Sequence, residues 1–170
     1  MTEEEIAQLR SYLASQSMKR TPTQINDALQ EAYRQFLETL GQFPEAAFEK
    51  SNQDGVWAIS EILEHVTRFI TGYEKAICMV LEQRMRPLDV KDRSEILPTR
   101  QEYMRRLEML TTLESSFQHL AHTVHQTKPD AYLEITWNHF EWGAMHWREW
   151  LLFARVHLLD HVHQLRTIVL

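Results

Sequence analysis

The chain has 170 residues, with 18 Lys or Arg against 24 Asp or Glu and a net charge of -6 at pH 7. Domains that bind nucleic acid usually carry a basic excess, so this balance argues against one. Four Gly and five Pro are too few for a β-sandwich or barrel, which needs a turn roughly every 8–12 residues. The single cysteine, Cys78, excludes a disulfide framework and a zinc site built of thiolates.

The N-terminal part of the chain predicts two helices. Thr2 and Glu5 have the spacing of a capping box, which predicts a short helix over residues 3–17. Thr21 and Gln24 form a second capping box with Pro at the first helical position, and apolar residues then recur at helical spacing up to Gly41.

Three longer helical patterns follow. The third predicted helix covers residues 56–84, and the fourth begins at the capping box of Thr99 and Glu102 and ends before Pro129. Residues 128–142 are aromatic and predicted to be irregular. The last helix is predicted to begin near Gly143 and to continue to the C-terminus.

These elements predict an all-α protein, an antiparallel four-helix bundle with an extra short N-terminal helix. Residues 1–20 are predicted to be the accessory helix, and residues 21–170 the bundle. The acidic N-terminus does not resemble a signal peptide. The longest apolar run is far below the roughly 20 residues that span a bilayer. We therefore expect a cytoplasmic protein with no membrane partner.

The last predicted helix carries two histidines one turn apart, His157 and His161, and this spacing lets both rings face one point. The segment H-L-L-D-H lacks the Glu of a metalloprotease helix, which excludes that class. The surrounding apolar residues turn both rings toward the bundle interior, where unpaired imidazoles are costly. Two interpretations stay open from the spacing alone: a shared cation, or two histidines satisfied by ordinary hydrogen bonds or by water.

His65 is the other histidine in the middle of an apolar stripe, and we predict it as the third ligand. Three neutral imidazoles with an open position suit a divalent ion, zinc or nickel. Glu61 lies one turn before His65 and is predicted to orient its ring. Three residues around the start of the last helix are predicted to line the pocket mouth: Trp142, His146 and Trp150.

The histidines of the fourth helix and the single cysteine are predicted to have no part in the site. His119, His122 and His125 spread over a wide arc of the fourth helix, which predicts an exposed helix end rather than a second metal site. Cys78 lies in an apolar stretch and is predicted to be a buried small hydrophobic residue. The sequence therefore offers no protein nucleophile, and water or an external thiol is expected to fill that role.

Three motifs occur in a fixed order. Residues 57–65 read W-A-I-S-E-I-L-E-H, residues 139–143 read H-F-E-W-G, and residues 157–165 read H-L-L-D-H-V-H-Q-L. Together they resemble the DinB/YfiT-like family of four-helix-bundle proteins, whose motifs are W-s-x-x-E-i-l-x-H, H-P-x-F-G and H-x-x-x-H-x-x-Q-[IL]. The resemblance covers residues 22–170, and the metal triad of the family falls on His65, His157 and His161.

The resemblance implies a divalent metal in a cavity at one end of the bundle, and a homodimer. The family includes metal-dependent hydrolases, thiol-dependent S-transferases and a maleylpyruvate isomerase that uses a low-molecular-weight thiol. The expected function is therefore a metal-dependent enzyme whose three-His site activates water or a small thiol toward a small-molecule substrate. The alternative is a non-catalytic bundle for stress response or small-ligand binding, with a vestigial or structural metal site. Phe140 and Trp142 depart from the Pro and Phe of the family and alter the expected pocket wall.

Overall fold

The computed structural model describes residues 2–48, 57–92 and 106–168. Within these ranges four long helices form a bundle around one apolar core, and a fifth helix packs beside them, so the predicted all-α four-helix bundle is confirmed. The elements are α1 (Glu3–Lys19), α2 (Pro22–Leu40), α3 (Ile59–Gln83), α4 (Arg106–Gln126), β1 (Thr136–His139), β2 (Gly143–His146) and α5 (Trp147–Arg166).

Both N-terminal capping boxes are confirmed. The backbone N–H of Glu5 donates to Thr2 Oγ1 at 3.2 Å, and the backbone N–H of Thr2 donates to Glu5 Oε2 at 2.7 Å. Thr21 and Gln24 exchange the same pair of hydrogen bonds at 2.9 and 3.2 Å. These bonds satisfy amides at the helix start that have no partner within the helix. The predicted box of Thr99 and Glu102 lies outside the described residues.

Contacts along the helices fix their relative directions. Helices α2 and α4 are antiparallel, and so are α3 and α5, whereas α3 and α4 are parallel. For α2 and α4 the contacts are Gln30–Phe117 and Tyr33–Glu114. For α3 and α5 they are His65–His157 and Tyr73–Trp150. For α3 and α4 they are Thr71–Ser116 and Glu74–His119. The bundle therefore runs up–down–down–up, which refines the predicted antiparallel arrangement.

A long connection between α3 and α4 makes this parallel pair possible. The axis of α3 is about 37 Å long at the helical rise per residue. Residues 84–105 separate α3 from the described start of α4, and a chain of that length reaches about 70 Å when extended. A crossover of this kind is a known variant of four-helix bundles.

A two-stranded hairpin precedes α5, where the sequence predicted irregular chain and then a helix from Gly143. That part of the prediction is wrong: β1 pairs antiparallel with β2, His139 stands opposite Gly143, and α5 begins at Trp147. The three-residue loop between the strands needs a left-handed residue to close it, and Gly143 supplies one with φ of 71°. Side chains alternate along β1, and that of Trp137 points inward, so the short strand buries a large aromatic ring.

The segment that follows α3 is hydrogen-bonded to β1. The backbone N–H of Val90 donates to the carbonyl of Asn138 at 2.8 Å, and Asp89 Oδ1 accepts the N–H of Asn138 at 2.8 Å. Arg86 Nε donates to the carbonyl of Thr136 at 2.9 Å. These bonds hold the hairpin against the C-terminal end of α3.

The accessory helix α1 packs on α5 and on the hairpin. Leu13 is completely buried in the common core. Arg10 Nη2 donates to the carbonyl of Ala144 at 2.9 Å, and Arg10 Nη1 lies 3.4 Å from Glu149 Oε1. The proposed boundary between residues 1–20 and 21–170 stays a prediction. Among the described helices, none combines the length and the apolar character needed to cross a membrane.

Replacement of Gly143 by Ala is expected to destabilise the protein by about 1–2 kcal/mol, since a side chain at positive φ is strained. No atom lies within 4 Å of the added Cβ, so the loss comes from the backbone alone. Gly72→Ala is the matched control: the site is equally open but helical, and Ala should stabilise α3 by up to about 1 kcal/mol. Urea unfolding of both variants measures the two effects, and a stabilised Gly143→Ala protein would contradict the hairpin geometry.

Candidate metal centre

The three predicted metal ligands meet in the interior, between α3 and α5. His65 lies near the beginning of α3, and His157 and His161 lie one turn apart in the second half of α5. His157 Nε2 is 2.9 Å from His65 Nε2 and 3.1 Å from His161 Nε2. The antiparallel packing of the two helices thus brings together residues 92 positions apart in the sequence.

The ring of His161 brings a lone pair, not a proton, to the point where the three nitrogens meet. The Nδ1–H of His161 donates to Gln164 Oε1 at 2.8 Å, so a neutral His161 ring presents a bare Nε2 lone pair to the other two. His157 Nε2 has two imidazole nitrogens within hydrogen-bond distance and carries at most one proton. A cation placed among the three accepts every lone pair at once.

Burial favours the neutral form of His157 and His161. The exposed fractions of His65 and His161 are 3% and 8%. Burial, together with the neighbouring rings of His161, His65 and His139, lowers the pKa of His157 well below its ordinary value. Burial also lowers the pKa of His161. Neutral imidazole is the form that binds a metal ion, so His157 and His161 are ready for one at neutral pH.

The spacing of the nitrogens fits a small divalent ion. Nitrogen ligands of a tetrahedral zinc ion lie about 3.3 Å apart when the zinc–nitrogen distance is about 2.0–2.1 Å. The observed separations of 2.9 and 3.1 Å reach that value with a small outward shift of the rings. The donor set of three imidazoles suits zinc or nickel, as the sequence predicted.

Two aromatic rings enclose the histidines. Phe69 stacks on His157 with ring centroids 3.8 Å apart and an interplanar angle of 20°. Trp57 lies 5.0 Å from the ring of His65 and is nearly parallel to that of His161 at 6.2 Å. Both rings pack against the imidazoles, while Trp57 and His157 themselves are only partly buried. Trp57 belongs to the first sequence motif, but its contact with His161 on α5 is visible only in the folded chain.

The residues predicted around the triad have mixed outcomes. Glu61 Oε2 accepts the backbone N–H of Ala58 at 2.8 Å and so caps α3, while its predicted role in orienting His65 stays a prediction. Trp142 is buried against Phe153, with ring centroids 5.6 Å apart, and its role in a pocket also stays a prediction.

The other two residues predicted at the pocket mouth contact the core and the first turn of α5, and their role at a pocket stays a prediction. Trp150 is completely buried, stacks on Trp137 at 5.0 Å and donates its Nε1–H to the carbonyl of Met145. It is therefore a core residue. His146 precedes α5 and has Nε2 3.6 Å from Glu149 Oε2, about 16 Å along the axis from His157. His146 precedes the helix because α5 begins four residues later than predicted.

One further buried histidine was not among the predicted site residues. His139, in β1, is 3% exposed, and burial lowers its pKa to about 4. Its Nδ1 accepts the backbone N–H of Glu141 at 3.1 Å, which leaves the proton of the neutral ring on Nε2. Phe153 separates it from the triad, with ring centroids 5.4 Å from His139 and 6.1 Å from His157. The H-F-E-W-G motif was the available signal, but only the hairpin turns this ring inward.

Comparisons with known proteins show the family and the fold of the chain. The family model described as the DinB superfamily matches residues 28–165, a range that includes all three histidines. The crystal structure of TT2238, a four-helix bundle protein, superposes with a TM-score of 0.65 at 17% identity, over 87% of this chain and 100% of that one. At this identity the likeness shows the fold alone. The comparison with curated proteins gives no match.

The buried state of His139 predicts a loss of stability in acid. Its pKa is about 4 in the folded chain against about 6.5 in the unfolded one, so between these values only the unfolded chain binds the proton. The free energy of unfolding should therefore fall as the pH drops through this window. His139→Asn keeps an acceptor for Glu141 N–H but does not titrate, and should show a smaller fall.

Urea unfolding of the metal-free proteins at about pH 7 and about pH 5 measures this difference. The exposed His163 provides the control: His163→Asn should retain the pH dependence of the wild type. Equal pH dependence in the His139→Asn and wild-type proteins would contradict the burial of a neutral ring.

Proposed function

Because the chain belongs to the DinB superfamily, we propose that it is a metal-dependent enzyme that uses a divalent ion held by His65, His157 and His161 to activate an external nucleophile. One observation carries the proposal: three imidazole nitrogens converge on one point in the protein interior. Among the described residues, the group of ligand atoms at this point consists of these three alone. Three protein ligands leave a position open for substrate or water, as in catalytic rather than structural zinc sites.

Different residues of the site have different roles in this proposal. A divalent ion bound there supplies a Lewis acid that lowers the pKa of water or of a thiol. The three imidazoles hold the ion, and Gln164 fixes the His161 ring in the tautomer that leaves Nε2 free to bind. Trp57 and Phe69 pack against the imidazoles, and their apolar surfaces strengthen electrostatic interactions inside the site.

Cys78 does not supply the nucleophile in this proposal. Cys78 lies on α3 at about 20 Å along the axis from His65. Burial raises the pKa of its thiol to about 12, so it is not a thiolate at neutral pH. The external nucleophile is therefore water, giving a hydrolase, or a low-molecular-weight thiol, giving an S-transferase or isomerase. The small-molecule substrate is part of this proposal, and the homodimer implied by the resemblance stays a prediction.

His157→Ala is expected to remove one zinc ion per chain, because it takes away the nitrogen that faces both other ligands. The proteins are loaded with zinc, dialysed against a weak chelator and analysed by mass spectrometry for metal content. His163→Ala changes an exposed histidine on the same helix and should retain the zinc content of the wild type. Equal zinc content in all three proteins would contradict the assignment of the ligands.

Catalysis is tested with two panels of chromogenic substrates on zinc-loaded and nickel-loaded protein. One panel contains activated esters and amides for hydrolysis, and the other pairs electrophiles with cysteine, glutathione or coenzyme A for thiol transfer. We expect turnover that requires the metal and falls at least about 100-fold in His157→Ala, since the ion supplies the activation. Absence of metal-dependent turnover in both panels would favour the non-catalytic binding bundle instead.

A further inference from the structure

A second group of metal-type ligands lies between α3 and α4, away from the three histidines. Glu74 and Cys78 stand one turn apart on α3, and His119 faces them from α4. One ligand atom from each lies within 4.8 Å of the others. Glu74 lies about 180° around α3 from His65. The group therefore occupies the opposite face of the helix and shares no residue with the first site.

The His119 ring is oriented for binding by a residue outside this group. Glu82 Oε1 accepts the Nε2–H of His119 at 3.0 Å and the hydroxyl of Thr123 at 2.7 Å. Nδ1 of the same ring then points at Glu74 Oε1, 2.5 Å away. A carboxylate on the far nitrogen of a metal-binding imidazole is the usual support for such a ligand.

The group attracts positive charge. Glu74 is 7% exposed, so a buried carboxylate faces the imidazole nitrogen. Its hydrogen bond to His119 is the main reason why the pKa of that histidine is raised. The thiol of Cys78 lies beside this pair, within hydrogen-bond reach of Thr123 and Glu74. Sulfur, imidazole and carboxylate are all ligands that zinc binds.

We propose that Glu74, Cys78 and His119 bind a second divalent ion of the zinc type, with Glu82 positioning the His119 ring. Binding requires the Cys78 thiol to release its proton to solvent as the sulfur–metal bond forms. The ion enters from the solvent side, where the His119 side chain is 48% exposed. It joins two parallel helices that no short loop connects, and so clips α4 to α3. The histidine that the sequence assigned to an exposed helix end is thereby part of a site.

Cobalt(II) distinguishes this site from the first because thiolate ligands give an intense charge-transfer band in the near ultraviolet, whereas imidazoles do not. Cys78 is the only cysteine in the chain, so such a band can come from no other residue. We expect the band when wild-type protein or His157→Ala is titrated with cobalt under a non-thiol reductant. Its presence in His157→Ala would show that the second ion binds independently of the three-His site.

Variants on both helices assign the ligands. Cys78→Ser should abolish the band, and His119→Gln should remove or weaken it. Glu82→Gln should retain the band with cobalt affinity lower by about 10–100-fold, as expected for a residue that positions a ligand. His122→Gln, an exposed histidine on the same helix, should behave as the wild type. Circular dichroism confirms that each variant is folded.

Two outcomes would overturn the proposal. The first is a cobalt titration of folded wild-type protein that gives no thiolate band. The second is a band that persists unchanged in His119→Gln. In the first case a proton alone holds His119 between Glu74 and Glu82. Both results leave the three-His site untouched, because its test depends on His157 and not on Cys78.

Discussion

Three imidazole nitrogens meet at one point between α3 and α5, where His161 presents a lone pair and His157 carries at most one proton for its two neighbours. The convergence of these nitrogens depends on how the surrounding helices and side chains pack. α3 and α5 must be antiparallel, so that the start of one meets the second half of the other. Phe69 stacks on His157, and Gln164 accepts the hydrogen bond from Nδ1–H of His161. A bound cation turns this costly arrangement into a favourable one.

The direction of the helices explains why α3 carries two sets of ligands. One face meets the antiparallel α5 and presents His65, whereas the opposite face meets the parallel α4 and presents Glu74 and Cys78. The donor sets differ in kind. Three imidazoles with an open position suit chemistry, while sulfur and carboxylate beside a half-exposed imidazole suit a clip between helices. A single helix thus organises a candidate catalytic centre and a candidate structural one.

The parts of the molecule that could be predicted from the sequence are those governed by local chemistry. Capping boxes mark the starts of α1 and α2, and the helical period of apolar residues placed His65, His157 and His161 on inward faces. Two predictions failed in one region, since the hairpin replaces both irregular chain and the first turn of a helix. Its strands have four residues each, too short for an alternating pattern to emerge from an aromatic-rich segment.

Features that depend on long-range packing could not be predicted. The burial of His139 follows from the hairpin, and the meeting of Cys78 with His119 follows from α3 and α4 running parallel in a particular register. Spacing along the chain shows neither of these. The motifs of the DinB superfamily marked the triad but gave no sign of the second group, whose residues lie outside all three motifs.

Anomalous diffraction at the metal edge, on crystals of the zinc-loaded protein, tests the central claim most directly. The account predicts an anomalous peak about 2.0–2.1 Å from the Nε2 atoms of His65, His157 and His161, with the fourth position open to solvent or substrate. A difference map without a peak at that point would contradict the metal centre. A peak closed by a fourth protein ligand would contradict its catalytic role.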